Sequence, residues 1–326
     1  MINRRTLCLA AMATTSLTTK WQAAHAADFP SRPIRVVVGF PAGQATDTNA
    51  RRVTQSMSQT LGQNVFVDNR PGAAGIISHE AVKNAPADGY TLLMGSSGTL
   101  AINPWLYRHL PYDPLKDFEP IASVSASPLV MFTSAQSPLN DLKQLIALTR
   151  SRPGKINYGS SGSGTTGHIA MEMLKKQAGI DLLHVPYKGS PPMITDLIGG
   201  QIDVAFDTAG AVLPMVKGGH IKLLGVASLK RVAAAPDLPT LAEQGLPGFE
   251  ALAWAAILAP KGTPAAVVQR LNAAVNLSLK DPAVLEQFVS TGNYPLGGTP
   301  ADLQSYMSLE HARWGKAVVA SGARAD

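Results

Sequence analysis

The fold is decided by Ile34-Arg35-Val36-Val37-Val38, which leads into Phe40-Pro41-Ala42-Gly43-Gln44-Ala45-Thr46-Asp47. A β-branched run of this length predicts a strand. Residues 48–61 then carry apolar side chains at helical spacing, and Gly62 marks the end of that helix. Strand, polar loop and helix in this order begin a βαβ unit, so we expect an α/β protein with parallel sheets.

The same alternation repeats outward from this stretch. Strand patterns at residues 64–68 and 90–94 are followed, beyond residue 129, by strand patterns at 156–158, 182–185 and 204–206, with helical patterns between them. A chain of this length exceeds a single hydrophobic core, so two domains are expected. An apolar stretch at 251–259 is expected to carry the chain back to the first of them. We therefore predict domains at 27–128 plus 251–326 and at 129–250, with crossings near 127–131 and 250–254 that act as a hinge.

The first residues have the features of a signal peptide. Arg4 and Arg5 precede an apolar segment at 7–17, and Ala24-His25-Ala26 follows. An apolar segment of this length is too short for a membrane span, and the small-residue pattern predicts cleavage after Ala26. The protein is therefore expected in the periplasm, and either the general secretory route or the twin-arginine route fits the paired arginines.

Charge and cysteine content exclude several classes of protein. The whole chain has a formal charge of +6, but Arg4, Arg5 and Lys20 lie in the predicted signal peptide, which has no acidic residue. The remaining basic residues are scattered, so nucleic acid is not an expected partner. The single cysteine, Cys8, also lies in the signal peptide, and the mature chain can have no disulfide, thiolate nucleophile or cysteine-bound metal.

Two glycine-containing loops have the design of anion sites. Residues 162–167 form a G-x-G-x-x-G pattern before a helix, but the dinucleotide interpretation requires an acid after the next strand, and residues 184–188 contain none. Backbone N–H groups at a helix start suit a carboxylate equally well, and a turn without a ligand is the alternative. The loop at 40–47 has the same design, with Thr46 or Asp47 as the predicted helix cap. Two such loops facing one cleft predict a dicarboxylate ligand.

Catalytic patterns are missing from the sequence. No G-x-S-x-G elbow is present, and His79, His109, His184, His220 and His311 are isolated along the chain, without metal-ligand spacing. His168 is expected in the first turn of a helix with a structural or ligand-lining role, and a general base is the alternative. Lys188 is expected as a solvated loop residue or a structural contact. We predict a binding protein without cofactor or metal; an exported hydrolase or oxidoreductase that acts on a small acid is the alternative.

Ordered motifs over nearly the whole mature chain resemble the Bug-type receptors of tripartite tricarboxylate transporters. The motifs are Pro30-Ser31-Arg32-Pro33-Ile34-Arg35, Phe40-Pro41-Ala42-Gly43, Asn69-Arg70-Pro71-Gly72-Ala73, Asp88-Gly89-Tyr90-Thr91-Leu92, Ala101-Ile102-Asn103-Pro104, Asn157-Tyr158-Gly159-Ser160, His184-Val185-Pro186-Tyr187-Lys188-Gly189 and Val204-Ala205-Phe206-Asp207. The resemblance implies a periplasmic-binding-protein fold. It implies a small organic carboxylate as ligand, aromatic acids included, and the membrane subunits of a transporter as partners. The receptor is expected to be a monomer. The family usually has a second glycine at position 44, whereas this sequence has Gln44.

Carried over position by position, the resemblance implies a set of ligand-binding residues in five loops. They are Phe40, Ala42, Gly43, Gln44, Thr46, Asp47, Ala73, Ser96, Ser97, Ser160, Ser163, Gly164, Thr165, Thr166, His168 and Asp207.

Overall fold

The computed structural model describes residues 29–325. The predicted signal peptide and its cleavage site lie outside this range. The strands are β1 (Ile34–Val38), β2 (Val65–Asn69), β3 (Thr91–Ser96), β4 (Phe118–Ser134), β5 (Asn157–Ser160), β6 (Leu183–Pro186), β7 (Val204–Thr208), β8 (Ile221–Val226), β9 (Leu252–Pro260) and β10 (Tyr294–Gly297). The helices are α1 (Ala45–Leu61), α2 (Ile76–Lys83), α3 (Asn103–Leu106), α4 (Leu142–Ser151), α5 (Thr166–Ala178), α6 (Ser190–Ile198), α7 (Ala209–Val216), α8 (Ala265–Ser278), α9 (Pro282–Ser290) and α10 (Pro300–Ser321).

The first α/β half is built around β1. This strand pairs in parallel with β2 on one side and β3 on the other, and its valines are fully buried. The half also contains β9, β10 and the first part of β4. Helices α1 and α8 cover one face, where Val53, Met57 and Leu271 pack with the β1 side chains. Hydrophobic burial on both faces of the sheet accounts for the nearly continuous apolar strands.

The second half has its own parallel core of β6, β5 and β7, which joins the last part of β4. Phe132, Met193 and Val212 pack together on one side of this sheet. Two α/β halves joined by crossing strands confirm the fold class that the sequence predicted.

The strand that makes the first crossing is longer than the sequence predicts. Apolar stretches at 121–124 and 129–133 in the sequence indicate two strands, but both stretches belong to the single long strand β4. This strand pairs with β9 through Pro128 and with β7 from Leu129 onward. The sequence predicts parallel sheets, and the pairs β1–β2, β1–β3, β5–β6 and β5–β7 are parallel, but β9 runs antiparallel to both β3 and β4. A strand that returns from the other half enters the sheet in the opposite direction, which makes the sheet mixed.

The start of α1 also corrects a prediction. Gln44 is the N-cap residue, and Thr46 and Asp47 both lie inside the first helical turn. Asp47 still holds the loop together, because the Gly43 N–H donates to its Oδ2 over 2.8 Å. A carboxylate in the first turn also interacts favourably with the positive end of the helix dipole.

Candidate functional site

A cleft of about 670 Å³ lies between the two halves. The loops that follow β1, β2 and β3 line it from one side, and the loops that follow β5, β6 and β7 line it from the other. The carboxyl ends of parallel strands meet there in both halves, which is where open α/β sheets bind ligands. The crossing strands β4 and β9 form the floor through Ser125, Ser127 and Ala253 to Ala255.

Most of the residues predicted for the site line this cleft. They are Phe40, Gln44, Thr46, Ala73, Ser96, Ser97, Ser163, Gly164, Thr165, Thr166 and Asp207. Ala42, Gly43 and Asp47 instead border a separate open hollow on the outer side of the first loop. Ser160 and His168 do not line the cleft, and His168 instead contacts the second loop at Gly164.

The first loop is fixed from its outer side by Asp47. Arg51 Nε and Asn69 Nδ2 donate to its carboxylate over 3.0 Å and 2.8 Å. Burial alone would raise the pKa of Asp47, but the hydrogen bonds from Arg51, Gly43 and Asn69 together hold it below its ordinary value. Asp47 is therefore ionised at neutral pH and acts on the shape of the loop.

The second loop, Ser161 to Gly167, is braced by its own side chains. Thr165 is the N-cap residue of α5, and its hydroxyl donates to the Gly162 carbonyl over 2.8 Å. The Gly164 N–H donates to His168 Nδ1 over 3.1 Å, and the Thr165 N–H donates to the Gly162 carbonyl. Two of the amides that the sequence assigned to a carboxylate are therefore engaged inside the loop.

A stack of aromatic rings supports this loop from behind. The rings of His168 and His184 are 4.0 Å apart, and Tyr158 stacks on His184 at 4.8 Å. His184 Nε2 is 2.7 Å from Ser160 Oγ. The sequence indicated that His184 is isolated, but the structure places it beside other polar rings because β5 and β6 are neighbours in the sheet. Burial, together with the charge of Lys175, lowers the pKa of His168 to about 4, so its ring is neutral and can accept the Gly164 N–H.

Contacts across the cleft join the two halves. Ser97 Oγ, after β3, lies 2.8 Å from Thr166 Oγ1 at the start of α5. Leu106 packs against Gly164, where a Cβ would collide with its side chain. Gln44 Nε2 reaches Gly189 and lies 2.6 Å from the position a Cβ would occupy there. These contacts connect the loops of the two halves across the cleft.

Neutral hydrogen-bonding groups dominate the cleft. Lys188 and Asp207 are the only charged side chains that line it within residues 29–325. Lys188 is exposed, whereas Asp207 has 7% of its surface exposed. Burial raises the pKa of Asp207 although the hydroxyls of Ser190 and Thr208 and the Thr208 N–H oppose the rise.

Sequence reasoning missed the floor of the cleft. Ser125 and Ser127 on β4 both line the cleft, together with Thr208 at the end of β7. The signal was present in the sequence, because Ser123, Ser125 and Ser127 alternate with apolar residues and so share one face of the strand. Asn103 and Trp254 also line the site and were not predicted.

Comparison with known proteins identifies relatives over almost the whole described chain. Residues 49–322 match the family described as "Tripartite tricarboxylate transporter family receptor". The solved structure of R. palustris Rpa4515 with adipate is 37% identical with a TM-score of 0.87, covering 90% of this chain and 99% of the other. The periplasmic binding protein BugD is 36% identical with a TM-score of 0.84, covering 91% of this chain and 99% of the other. MatC from Rhodopseudomonas palustris with bound malate is 34% identical with a TM-score of 0.82, covering 89% of this chain and 100% of the other.

Proposed function

This chain belongs to the tripartite tricarboxylate transporter receptor family, of the Bug type, and on that premise we propose that it captures a small organic carboxylate for transport. The family and the similar solved structures are solute-binding receptors, so the protein is a receptor and not an enzyme. The observation that carries the proposal is the cleft itself, whose size lies in the usual range for small-molecule sites. Adipate and malate in the two neighbours are both dicarboxylates.

The carboxylate is held by neutral donors. Ser163 lies between Gly162 and Gly164 in the second loop, and Thr166 is the first residue of α5, so their N–H groups lie at the positive end of this helix. Ser97 adds a hydroxyl from the opposite half. A hydrogen bond to a charged group contributes roughly 1.5–3 kcal/mol, so a few such donors suffice for binding without an arginine. The second polar end of a dicarboxylate reaches the first loop near Gln44 and Thr46.

We infer that the two halves close over the ligand by rotating about the two crossing segments. The Leu129 N–H donates to the Ala251 carbonyl over 3.1 Å, so β4 and the chain entering β9 move as one pair. We place the hinge there and divide the chain into 27–128 plus 251–326 and 129–250. A ligand that contacts both halves stabilises the closed form by its differential affinity.

The receptor works in the periplasm and delivers its ligand as a monomer to the membrane subunits of the transporter. Within residues 29–325, no helix is both long and apolar enough to cross a membrane. Export rests on the predicted signal peptide, and N-terminal sequencing of the secreted protein should find Ala27 first. Retention of Met1 in secreted protein would contradict this assignment.

The function is tested by thermal shift of the mature chain with mono-, di- and tricarboxylates, aromatic acids included. A ligand that binds only the native state raises the stability by RT ln(1 + [L]/Kd), so a true ligand produces a concentration-dependent rise in Tm. Uncharged amides of the same acids are the matched controls. Binding of the amides with no response to any carboxylate would overturn the proposal, and so would chemical turnover of a bound acid.

A further inference from the structure

Two stacked histidines are linked to the second loop by opposite kinds of hydrogen bond. His168 Nδ1 accepts the Gly164 N–H over 3.1 Å, so this nitrogen carries no proton. Ser160 Oγ donates to the Gly162 carbonyl over 3.0 Å, so its contact of 2.7 Å with His184 Nε2 requires the histidine to donate. The two rings lie 4.0 Å apart and within 10° of parallel. We call His168 and His184 the histidine brace.

The bond to Gly164 makes the second loop dependent on the proton state of His168. A proton on Nδ1 would bring two donors face to face, and the buried Gly164 N–H would lose its partner. Because an unpaired buried N–H is unfavourable, the loop would leave this conformation. His184 differs in this respect, because its contact with Ser160 uses a nitrogen that also carries a proton in the charged ring. His168 is therefore the residue of the brace that responds to acid.

The surroundings of the brace oppose a positive charge. Burial, together with the charge of Lys175, lowers the pKa of His168 to about 4. Burial also lowers the pKa of His184 to about 4, helped by the neighbouring His168 and opposed by Glu172. Glu172 is already engaged, because its Oε1 accepts from Tyr158 Oη over 2.5 Å and from Lys175 Nζ over 3.0 Å. Helix α10 and strand β7 also pack against α5, but within the described residues no charged group of theirs changes the pKa of His168.

Gly164, which the brace holds, lies where the two halves meet. It has a φ of 78°, and a Cβ at this position would collide with the Leu106 side chain of the first half. The Gly164 carbonyl lies 3.7 Å from the position that a Cβ would occupy at Gly98, which also belongs to the first half. Both glycines line the cleft. The conformation of Gly164 therefore decides how closely the second loop approaches the first half.

From the proposed function, on which this step rests, and from these contacts, we propose that His168 is a positioning residue that couples ligand release to acid. The neutral ring holds Gly164 in the closed cleft. The protonated ring releases the second loop, its contact with Leu106 and the bound carboxylate. His168 does not line the cleft and acts through Gly164.

The direction of the effect follows from proton linkage. In the released loop a hydrated His168 has the ordinary pKa of 6.5, whereas in the braced loop its pKa is about 4. Above pH 6.5 the ring is neutral in both forms, and the braced form has its full stability. As the pH falls from 6.5 towards 4, only the released form binds the proton, so the braced form loses stability and the affinity for the carboxylate falls.

Calorimetry at pH 7.5 and pH 5.0 tests the proposal, with adipate, malate and each acid that the thermal-shift panel identifies. Variants are compared through the ratio of Kd at pH 5.0 to Kd at pH 7.5, because protonation of the acid itself affects every variant equally. In His168→Asn the amide oxygen accepts the Gly164 N–H but does not titrate. We expect the wild-type ratio to exceed the His168→Asn ratio by about tenfold.

Further variants separate the proton from the packing of the ring. His168→Phe keeps a stacked ring without an acceptor, so it should bind weakly at both pH values and show the small ratio of His168→Asn. His220→Asn removes an exposed histidine and should keep the wild-type ratio. His79, whose pKa burial also lowers to about 4, is present in every variant, so its titration cancels. Thermal melts at both pH values check that each variant is folded.

NMR of the wild-type protein labelled with ¹⁵N-histidine gives a measurement that requires neither a ligand nor a variant. At pH 6 the His168 ring should be neutral with its proton on Nε2, and the Gly164 amide resonance should shift together with the ring as the pH falls. A proton on Nδ1 at pH 6 would overturn the proposal. Equal Kd ratios in the wild type and His168→Asn would also overturn it and leave the receptor function intact. A protein that binds no acid of the panel would instead remove the proposed function and acid release together, whatever the NMR shows of the brace.

Discussion

The hydroxyl of Ser97 lies 2.8 Å from the hydroxyl of Thr166, and this hydrogen bond joins the two halves of the protein across the cleft. Ser97 directly follows β3, and Thr166 is the first residue of α5, the helix after the second glycine loop. The Trp254 N–H also donates to Ser97 Oγ, over 3.4 Å, which ties the contact to a crossing strand. The pair therefore contributes to the closed form.

Thr166→Ala should weaken every carboxylate by a similar factor, because it destabilises the closed form that all of them select. Loss of one neutral hydrogen bond costs about 0.5–1.5 kcal/mol, or about threefold to tenfold in Kd, and more if the hydroxyl also contacts the ligand. Calorimetry with several ligands measures the factor, and Thr166→Ser, which keeps the hydroxyl, should bind like the wild type. A change in ranking without a general loss would contradict this role.

Gln44→Gly should change the ranking of ligands more than their mean affinity. The Gln44 amide crosses the cleft to Gly189 and narrows the site at that end, whereas a glycine would leave room for longer acids. Glycine is tolerated at an N-cap position, so the helix should be unaffected. Calorimetry with acids of increasing chain length measures the ranking. An unchanged ranking, together with loss of binding in Lys188→Ala, would indicate a charge-pair site instead.

Gly189→Ala should lower the stability of the protein, since Gly189 has φ 107° and ψ 174°, a conformation that other residues avoid. The cost is about 1–3 kcal/mol from the backbone alone. The new Cβ would also collide with Gln44 Nε2, so adding Gln44→Gly should restore part of the loss. Thermal melts of the single and double variants separate the two contributions, and identical melts would show that the Gln44 side chain moves away from the new Cβ without cost.

Asp47→Asn should cost stability at neutral pH and cost less in acid. The folded-state pKa of Asp47 is lowered, so its contribution is complete above the unfolded value and is lost as the pH falls through the folded value. Urea unfolding of both proteins at pH 7 and pH 3 measures the difference. The exposed Asp237→Asn variant should show no such pH dependence. An equal loss at both pH values would mean that the charge of Asp47 does not stabilise the loop.

Ligand binding should reduce the radius of gyration measured by small-angle scattering, because closure about the β4 and β9 crossing brings the halves together. The measurement needs the mature chain at saturating ligand, with a non-binding amide as control. An unchanged radius would place the ligand in a site that does not require hinge motion.

The local elements could be predicted from the sequence because each is encoded by its own periodicity. β1 was predicted at its observed bounds, and the two glycine loops do reach one cleft. The sequence does not reveal which distant strands pair, and this explains why the antiparallel β9 and the stacking of His184 on His168 were not predicted. The position of Thr208 at the cleft was missed for the same reason, since the end of β7 lies beside the crossing only through its pairing with β4.

The central position of β9 has a consequence for the order of folding. Leu93 on β3 pairs with Leu258 on β9, so the inner edge of β3 remains open until β9 is available. An open edge of apolar strand is prone to pair with other chains, and contacts between such distant residues form slowly. The amino-terminal half therefore cannot reach its native state until β9 has been made, and the exposed edge of β3 is protected from aggregation only after this strand has paired with it.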